Sequence, residues 1–325
     1  MYYAARAPSM AAGARWRSIA YDCGHEVGDR LNRARRSKST SVIVSVAAYG
    51  VALGAAVAAV KGLAPEHPLA IVAVGDLAAT IAVFAFSVLF DNSSLYDPYW
   101  SLSPAVIAGY YLWAGRADLG GRQLLVGALV LAYSARLTSN FYRGWPGLAH
   151  EDFRYAGLRR RFPRGYWAVS FFGVHLMPTV VVYLGCLPLY AVMRGGGALN
   201  GLDAAATVVV LGAILLAYVA DEQLRRFRRD AALSGKSIQS GLWRFSRHPN
   251  YLGEIATWWG LYLFAFAAGA HWWWTGGGAV AITLLFVFIS VPLMERRALA
   301  TREGYGEYAA RTPMLLPSAS ALFTR

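Results

Sequence analysis

Charge is what this sequence has least of. Only 15% of its 325 residues are Asp, Glu, Lys or Arg. Soluble globular chains carry about 25%, so a water-soluble fold is excluded from the outset. Cysteine is nearly missing: Cys23 and Cys186 lie far apart with no ligand spacing, which implies neither a disulfide framework nor a zinc site. The first 40 residues contain no long apolar run, and hydrophobic sequence begins only near Ser41, after a basic stretch. That pattern argues against a cleavable signal peptide and for a first span acting as an uncleaved anchor. Surface patterns that interleave basic and aromatic residues are also lacking, and with them the expectation of DNA or RNA binding.

What the chain does have is apolar sequence: 57% of residues are hydrophobic and the mean hydropathy is +0.38. A bilayer core of roughly 30 Å takes about 20 residues of helix. Apolar runs at 42–61, 68–90, 102–115, 122–141, 166–193, 203–221, 251–270 and 277–294 predict about eight transmembrane helices, with 102–115 the shortest. Helices are expected rather than a barrel because each run is continuous and a helix satisfies its own backbone in lipid. The fold class expected is therefore all-α, a polytopic integral membrane protein.

Of the 31 Lys and Arg residues, 26 fall in 1–40, 142–165, 222–249 and 295–325. With eight spans these segments share one side, which the positive-inside rule makes cytoplasmic, both termini included. The net charge of +13 then serves topology, anionic headgroups or an anionic ligand. Two parts are expected. The first is a basic tail over 1–40 with a helix around Tyr21 to Lys38, where Asp22, Cys23, His25 and Glu26 read as tail or membrane-surface helix rather than a metal site. The second is a multi-span domain over 41–325, its cofactor-binding half at 203–317. The charged run in 142–165 reads as a lipid-facing surface.

Polar residues inside apolar runs are the first functional candidates. Asp76 lies near the outer third of the second span, away from the side where the other polar groups gather. Asp97, followed by Pro98, is either a helix cap or a carboxylate at the membrane boundary. Tyr133, Arg136 and Asn140 stand at i, i+3 and i+7 and share one helix face, read as a cavity wall, with Arg136 snorkelling to the surface as the plainer alternative. His150-Glu151 begins like a zinc-protease motif but lacks the second His. His175 reads as a hydrogen-bonded core residue. Asp221, Arg225 and Arg228 at i, i+4 and i+7 form either a solvated ion-pair face or a phosphate anchor. In SRHPNYLGE, Pro249 suits a first helical turn and Asn250 and Glu254 share a face. Arg247 and His248 beside the free N–H groups of that turn suit an anion.

The stretch RHPNYLGE at 247–254 resembles the signature of membrane-bound sterol C14- and C7-type reductases and of steroid 5-alpha-reductase-like proteins. In part it also resembles the RHPxYxG core of isoprenylcysteine and phospholipid methyltransferases. The resemblance covers roughly 91–317. DEQLRRFR at 221–228 is similar to the reductases' D-x-x-L-R-x-x-R stretch that holds NADPH, which implies cofactor contacts for Asp221, Arg225 and Arg228. It implies the same for Arg247, His248, Asn250, Tyr251 and Glu254, with Asn250 and Glu254 on the nicotinamide side. YDPYWSLSP resembles the acid-containing segment of the steroid enzymes, which places Asp97 on the catalytic carboxylate, and in YSAR, with Arg three residues later, Tyr133 falls on the catalytic tyrosine. Arg136 and Asn140 would line the cavity. Three departures stand out: Asp97 replaces the usual Glu, Ala217 stands where an Asn is expected, and Arg296 and Arg297 match loosely.

The resemblance implies an integral-membrane NADPH-dependent reductase of a lipophilic enone or sterol-like C=C bond, without a metal. Hydride would go to the carbon beta to a carbonyl and a proton to the alpha carbon, with Tyr133 bonding the carbonyl oxygen and Asp97 polarising it. The substrate would enter from the bilayer and the cofactor from the cytoplasm. The alternative is an S-adenosylmethionine-dependent isoprenylcysteine or phospholipid-type methyltransferase, which needs neither Tyr133 nor the Asp221–Arg225–Arg228 face. A non-enzymatic relative that keeps only the fold is the third reading.

Overall fold

The structure, a computed structural model, describes residues 37–116 and 118–317. Nearly all of the basic tail, its expected helix from Tyr21 and the Asp22–Glu26 cluster lie outside the described residues. Among the described residues every regular element is helical, as the apolar runs predict. In chain order the helices are α1 (Lys38–Leu63), α2 (Pro68–Leu89), α3 (Tyr99–Ala114), α4 (Gly121–Gly144) and the short α5 (Phe153–Arg161). There follow α6 (Tyr166–Arg194), α7 (Gly201–Arg229), α8 (Pro249–Ala268), α9 (Ala270–Thr301) and α10 (Tyr305–Arg311). Six of them, α1, α2, α4, α6, α7 and α9, are long and apolar enough to cross a membrane. The two other expected spans are also helical, but α3 has only 16 residues, and α8, which carries Glu254, is less apolar than those six.

Local chemistry explains the boundaries that matter for the site. At the start of α7 the Asn200 side chain accepts from the N–H groups of Leu202 and Asp203, while Asp203 accepts from Asn200 N at 2.8 Å, a reciprocal cap. From there α7 runs 29 residues. At 1.5 Å per residue it is about 43 Å long against a hydrocarbon core of roughly 30 Å, so its charged last turns project beyond the apolar layer. Pro249 opens α8 in a first turn, where its missing N–H costs nothing.

The α7–α8 crossing is close because small residues line it. A Cβ on Gly253 would sit 2.6 Å from the carbonyl oxygen of Ala213 and 2.9 Å from the Cβ of Ala217, and one on Gly260 2.5 Å from Val210. Around this pair Tyr111, Val126, Leu189, Trp258, Phe264 and Ile282 form the buried core. Leu131, Val208, Leu215 and Phe288 point outward and are exposed, as a lipid-facing surface requires. His175 is fully buried, its Nδ1 3.0 Å from the carbonyl of Ser170 and its Nε2 3.1 Å from Ser87 Oγ, which makes it the core residue expected.

The start of α4 is fastened to α7 by a buried ion pair. Arg122 Nε donates to Asp203 Oδ1 at 2.7 Å and Nη2 to Oδ2 at 2.8 Å, with both side chains 2% exposed. Its remaining donors reach the carbonyls of Gly196 and Ala198. Removing one partner leaves the other as an uncompensated buried charge. Arg122→Met is expected to lower stability by about 3–5 kcal/mol, measured by reversible denaturant unfolding in detergent, with Asp203→Asn losing a similar amount.

Candidate functional site

Three helices bring their polar faces together. The α4 stripe contributes Tyr133, Arg136 and Asn140, α7 contributes Asp221 and Arg225, and α8 contributes Asn250 and Glu254. Asp221 is one hub: its Oδ2 accepts from Asn140 Nδ2 at 2.9 Å and from Arg136 Nη1 at 3.3 Å, and its Oδ1 from Asn250 Nδ2 at 3.0 Å. Glu254 is the other. Its Oε2 accepts from Tyr133 Oη at 2.9 Å and its Oε1 from Arg136 Nη2. Arg225 extends the network, donating to Asn140 Oδ1 and to Glu222. Arg136 therefore does not snorkel; it lies between two carboxylates, a pairing that offsets the cost of its burial. Tyr133 is buried; its hydroxyl donates to Glu254, and the Arg136 guanidinium lies over its ring, 5.6 Å from the centroid.

Beside this network opens a cleft of about 1300 Å³, lined among others by Asn140, Asp221, Arg228, Asn250 and Tyr251. Arg160 of α5, Lys236 of the α7–α8 connection, and Arg297 and Arg302 near the end of α9 also line it. His248 stacks on Tyr251 with ring centroids 5.4 Å apart. A smaller cavity of about 290 Å³ touches Arg136, Asn140, Asp221 and Arg225. A large concave site with convergent polar groups is the default candidate for ligand binding.

The expected residues do not all take their expected roles. Arg247 lines the cleft, but its Nε and Nη1 are committed. Its Nε donates to Glu295 at 2.7 Å and its Nη1 to the carbonyls of Ala309 and Thr312 at 2.6 and 2.7 Å, so it fastens the C-terminal segment to the start of α8. His248 Nε2 lies 3.2 Å from the same Glu295 oxygen. Asp221 and Arg225 form no ion pair with each other among the described residues, because Arg225 turns to Asn140 and Glu222 instead. Arg228 stays on the cleft wall. Ala217, where an Asn is expected, packs against Gly253 in the helix crossing, which has no room for a longer side chain.

Asp97 lies apart from the Tyr133 network. The carboxylate bonded to Tyr133 is Glu254, whereas Asp97 accepts from Tyr155 Oη and pairs with Arg154 at 3.5 Å, both on α5. Nor does Asp97 cap α3: the capping position is Pro98, with no side-chain bond. The charged 142–165 segment is equally misread as a plain surface, since α5 folds across Asp97. Burial pushes the Asp97 carboxyl up from 3.8 to about 6, opposed by Arg154 and by the Tyr155 hydrogen bond. Burial likewise raises the Tyr155 hydroxyl well above its usual value. Glu222, which accepts from Arg143, Arg225 and Arg226, and Glu295 escape motif reasoning. The available signal was the excess of arginine in these segments, several of which pair with acids.

A family model described as a protein of unknown function, DUF1295, matches residues 83–312, beginning inside α2. An uncharacterized protein of Schizosaccharomyces pombe is 29% identical over 206 residues, which cover 56% of this chain and 60% of that protein. The chain thus spans less than two thirds of the relative's length. No solved structure matches.

The raised Asp97 carboxyl has a pH consequence. Between 3.8 and about 6 the folded protein holds a proton there that the unfolded chain has released. The stability this contributes is complete below the unfolded value and is lost as pH rises through the folded one. In thermal unfolding across this window, the unaltered protein is expected to lose stability relative to Asp97→Asn as pH rises from 3.8 to about 6. A difference that stays flat with pH would remove Asp97 as the titrating group.

Proposed function

The chain belongs to the DUF1295 family, a membrane family related to the steroid 5-alpha-reductases, and from that premise we propose an integral-membrane NADPH-dependent reductase acting on a lipophilic enone or sterol-like C=C bond. The observation that carries the proposal is convergence. The helix bearing D-x-x-L-R-x-x-R and the helix bearing RHPNYLGE meet the Tyr133–Arg136–Asn140 stripe through Asp221 and Glu254, beside a basic cleft. Four spans of sequence that resemble one reductase site are thereby joined by hydrogen bonds, except at Asp97.

The donor set of the cleft suits a dinucleotide with phosphates. Arg228, Arg297, Arg302 and Lys236 supply cationic donors, and Tyr251 and Trp243 supply flat rings. Once bound, the dinucleotide supplies the hydride. The protein's own part is proton handling and orientation. Glu254 holds the Tyr133 hydroxyl in one direction, and Arg136 balances Glu254 so that the hydroxyl remains a donor. A carbonyl oxygen brought to Tyr133 Oη would take its one hydroxyl proton, the O–H turning from Glu254 to the carbonyl and stabilising the enolate charge as it develops. Asp97 serves as a positioning residue, holding α5, whose Phe153 and Ala156 form part of the cleft wall. An S-adenosylmethionine-dependent methyltransferase would leave the Tyr133–Glu254–Arg136 chain without a task.

The finer topology belongs to the same proposal. With α3 and α8 as additional crossings there are eight spans, both termini and the cleft facing the cytoplasm, in line with the 26 Lys and Arg residues in the four segments on that side. The substrate then arrives from the bilayer.

Thermal unfolding in detergent separates the activities: NADPH is expected to stabilise the protein well above S-adenosylmethionine, and the reverse order would sink the reductase. Arg228→Ala is expected to weaken NADPH binding by roughly tenfold, and unchanged affinity would return that face to solvent. Tyr133→Phe is expected to lose turnover by about 10²–10⁴-fold while keeping NADPH affinity, read as a two-hydrogen mass gain in a lipid extract. Unaltered turnover in that variant would take Tyr133 out of the chemistry.

A further inference from the structure

α1, α2 and α3 enclose a second cavity of about 490 Å³, which shares no lining residue with the basic cleft. Its walls are largely Ala, Val, Leu and Ile side chains, and they include one acid, Asp76. The cavity faces lipid: Leu53, Val57 and Val106 on its rim are 50%, 47% and 50% exposed. Its α1 and α2 walls consist of residues up to Ala79, which precede the family match at 83–312. Its α3 wall, from Tyr99 to Trp113, lies inside that match, but the reductase reading gives this cavity no part, and nothing below depends on that reading.

Asp76 is only 8% exposed, and its two carboxylate oxygens differ. Oδ1 accepts from Tyr99 Oη at 2.7 Å and from Ser103 Oγ at 2.9 Å. Oδ2 is buried and has no hydrogen-bond partner among the described residues. If the residue served only to tie α2 to α3, one oxygen would suffice, and the second would be left as a buried acceptor that costs stability. Depth narrows the choice of donor. At 1.5 Å per residue Asp76 lies about 12 Å along α2 from Pro68, inside the roughly 30 Å hydrocarbon layer. A cationic headgroup there would have to be stripped of its own hydration, whereas a neutral hydroxyl escapes most of that cost.

We propose that this cavity binds a membrane lipid whose single polar group is a hydroxyl, which donates to Asp76 Oδ2 while the hydrocarbon body lies along α1 and α3. The site is separate from the network on α4, α7 and α8.

The test uses the purified full-length protein in detergent, with oleyl alcohol and its methyl ether as probes, read by thermal shift and native mass spectrometry. The alcohol is expected to raise the unfolding temperature and to bind roughly tenfold more tightly than the ether, which has no donor for Oδ2. Val106→Trp fills the cavity from its lipid-facing side and is expected to abolish binding of the alcohol. In Asp76→Asn the side-chain oxygen keeps Tyr99 and Ser103, so the amide N–H₂ takes the Oδ2 position and donates. That variant is expected to bind alcohol and ether alike. Equal binding of the two probes by the unaltered protein, no effect of the alcohol, or full binding by Val106→Trp would each overturn the proposal. The comparison of alcohol with ether needs no variant, so it decides the matter even where a substitution fails to fold.

Discussion

A guanidinium held between two carboxylates, where water is scarce, sets the terms for this protein. Arg136 alone on α4 would cost a few kcal/mol in an apolar layer, and Glu254 alone on α8 a comparable amount. Together, with Asp221 completing the group, they offset one another only if α4, α7 and α8 stand in one register. That register brings Asn140 and Asn250 within bonding distance of Asp221, and Arg225 within reach of Asn140. It also sets one wall of the basic cleft, so the shape of the cleft and the assembly of the helices draw on the same ionic contacts.

Outside the membrane layer a second set of contacts shapes the cleft. Arg247 ties the chain at 309–313 to the start of α8, and Glu295 of α9 ties Arg247 and His248 together. Asp97 holds α5, which also lines the cleft, through Arg154 and Tyr155. Arg159 fastens the same short helix to Glu151 and Asp91. Several charges that look like solvated topology signals are thus internal fasteners, and the cations left for a ligand are chiefly Arg228, Arg297, Arg302 and Lys236.

Much of this was legible because it is local. Continuous apolar runs mark each long helix, although 203–221 stops short of Arg229, since composition cannot tell a helix leaving the membrane from a loop. Spacing put Tyr133, Arg136 and Asn140 on one face, and the network uses all three. What spacing cannot supply is a partner from another helix. Glu254 lies 121 residues from the tyrosine it binds, so Asp97 stood in its place by resemblance alone. The Arg247 charge was legible and its use was not, because the carbonyls that take it belong to a tail with no motif of its own. Ala217 looked like a lost polar contact until its neighbour across the crossing, Gly253, was known.

That crossing links two things usually treated apart. Because Gly253 lies against the Ala213 carbonyl and the Ala217 Cβ, the α7–α8 separation is set by side-chain size at two apolar positions. Asn250, three residues before Gly253, and Glu254, the residue after it, are carried on the same rigid rod. Any residue that widened the crossing would draw Asn250 away from Asp221 and Glu254 away from Arg136 together. Steric bulk at 217 or 253 therefore acts as an electrostatic variable, and substitutions at these uncharged positions are subject to the constraints of the ion pairs they never touch.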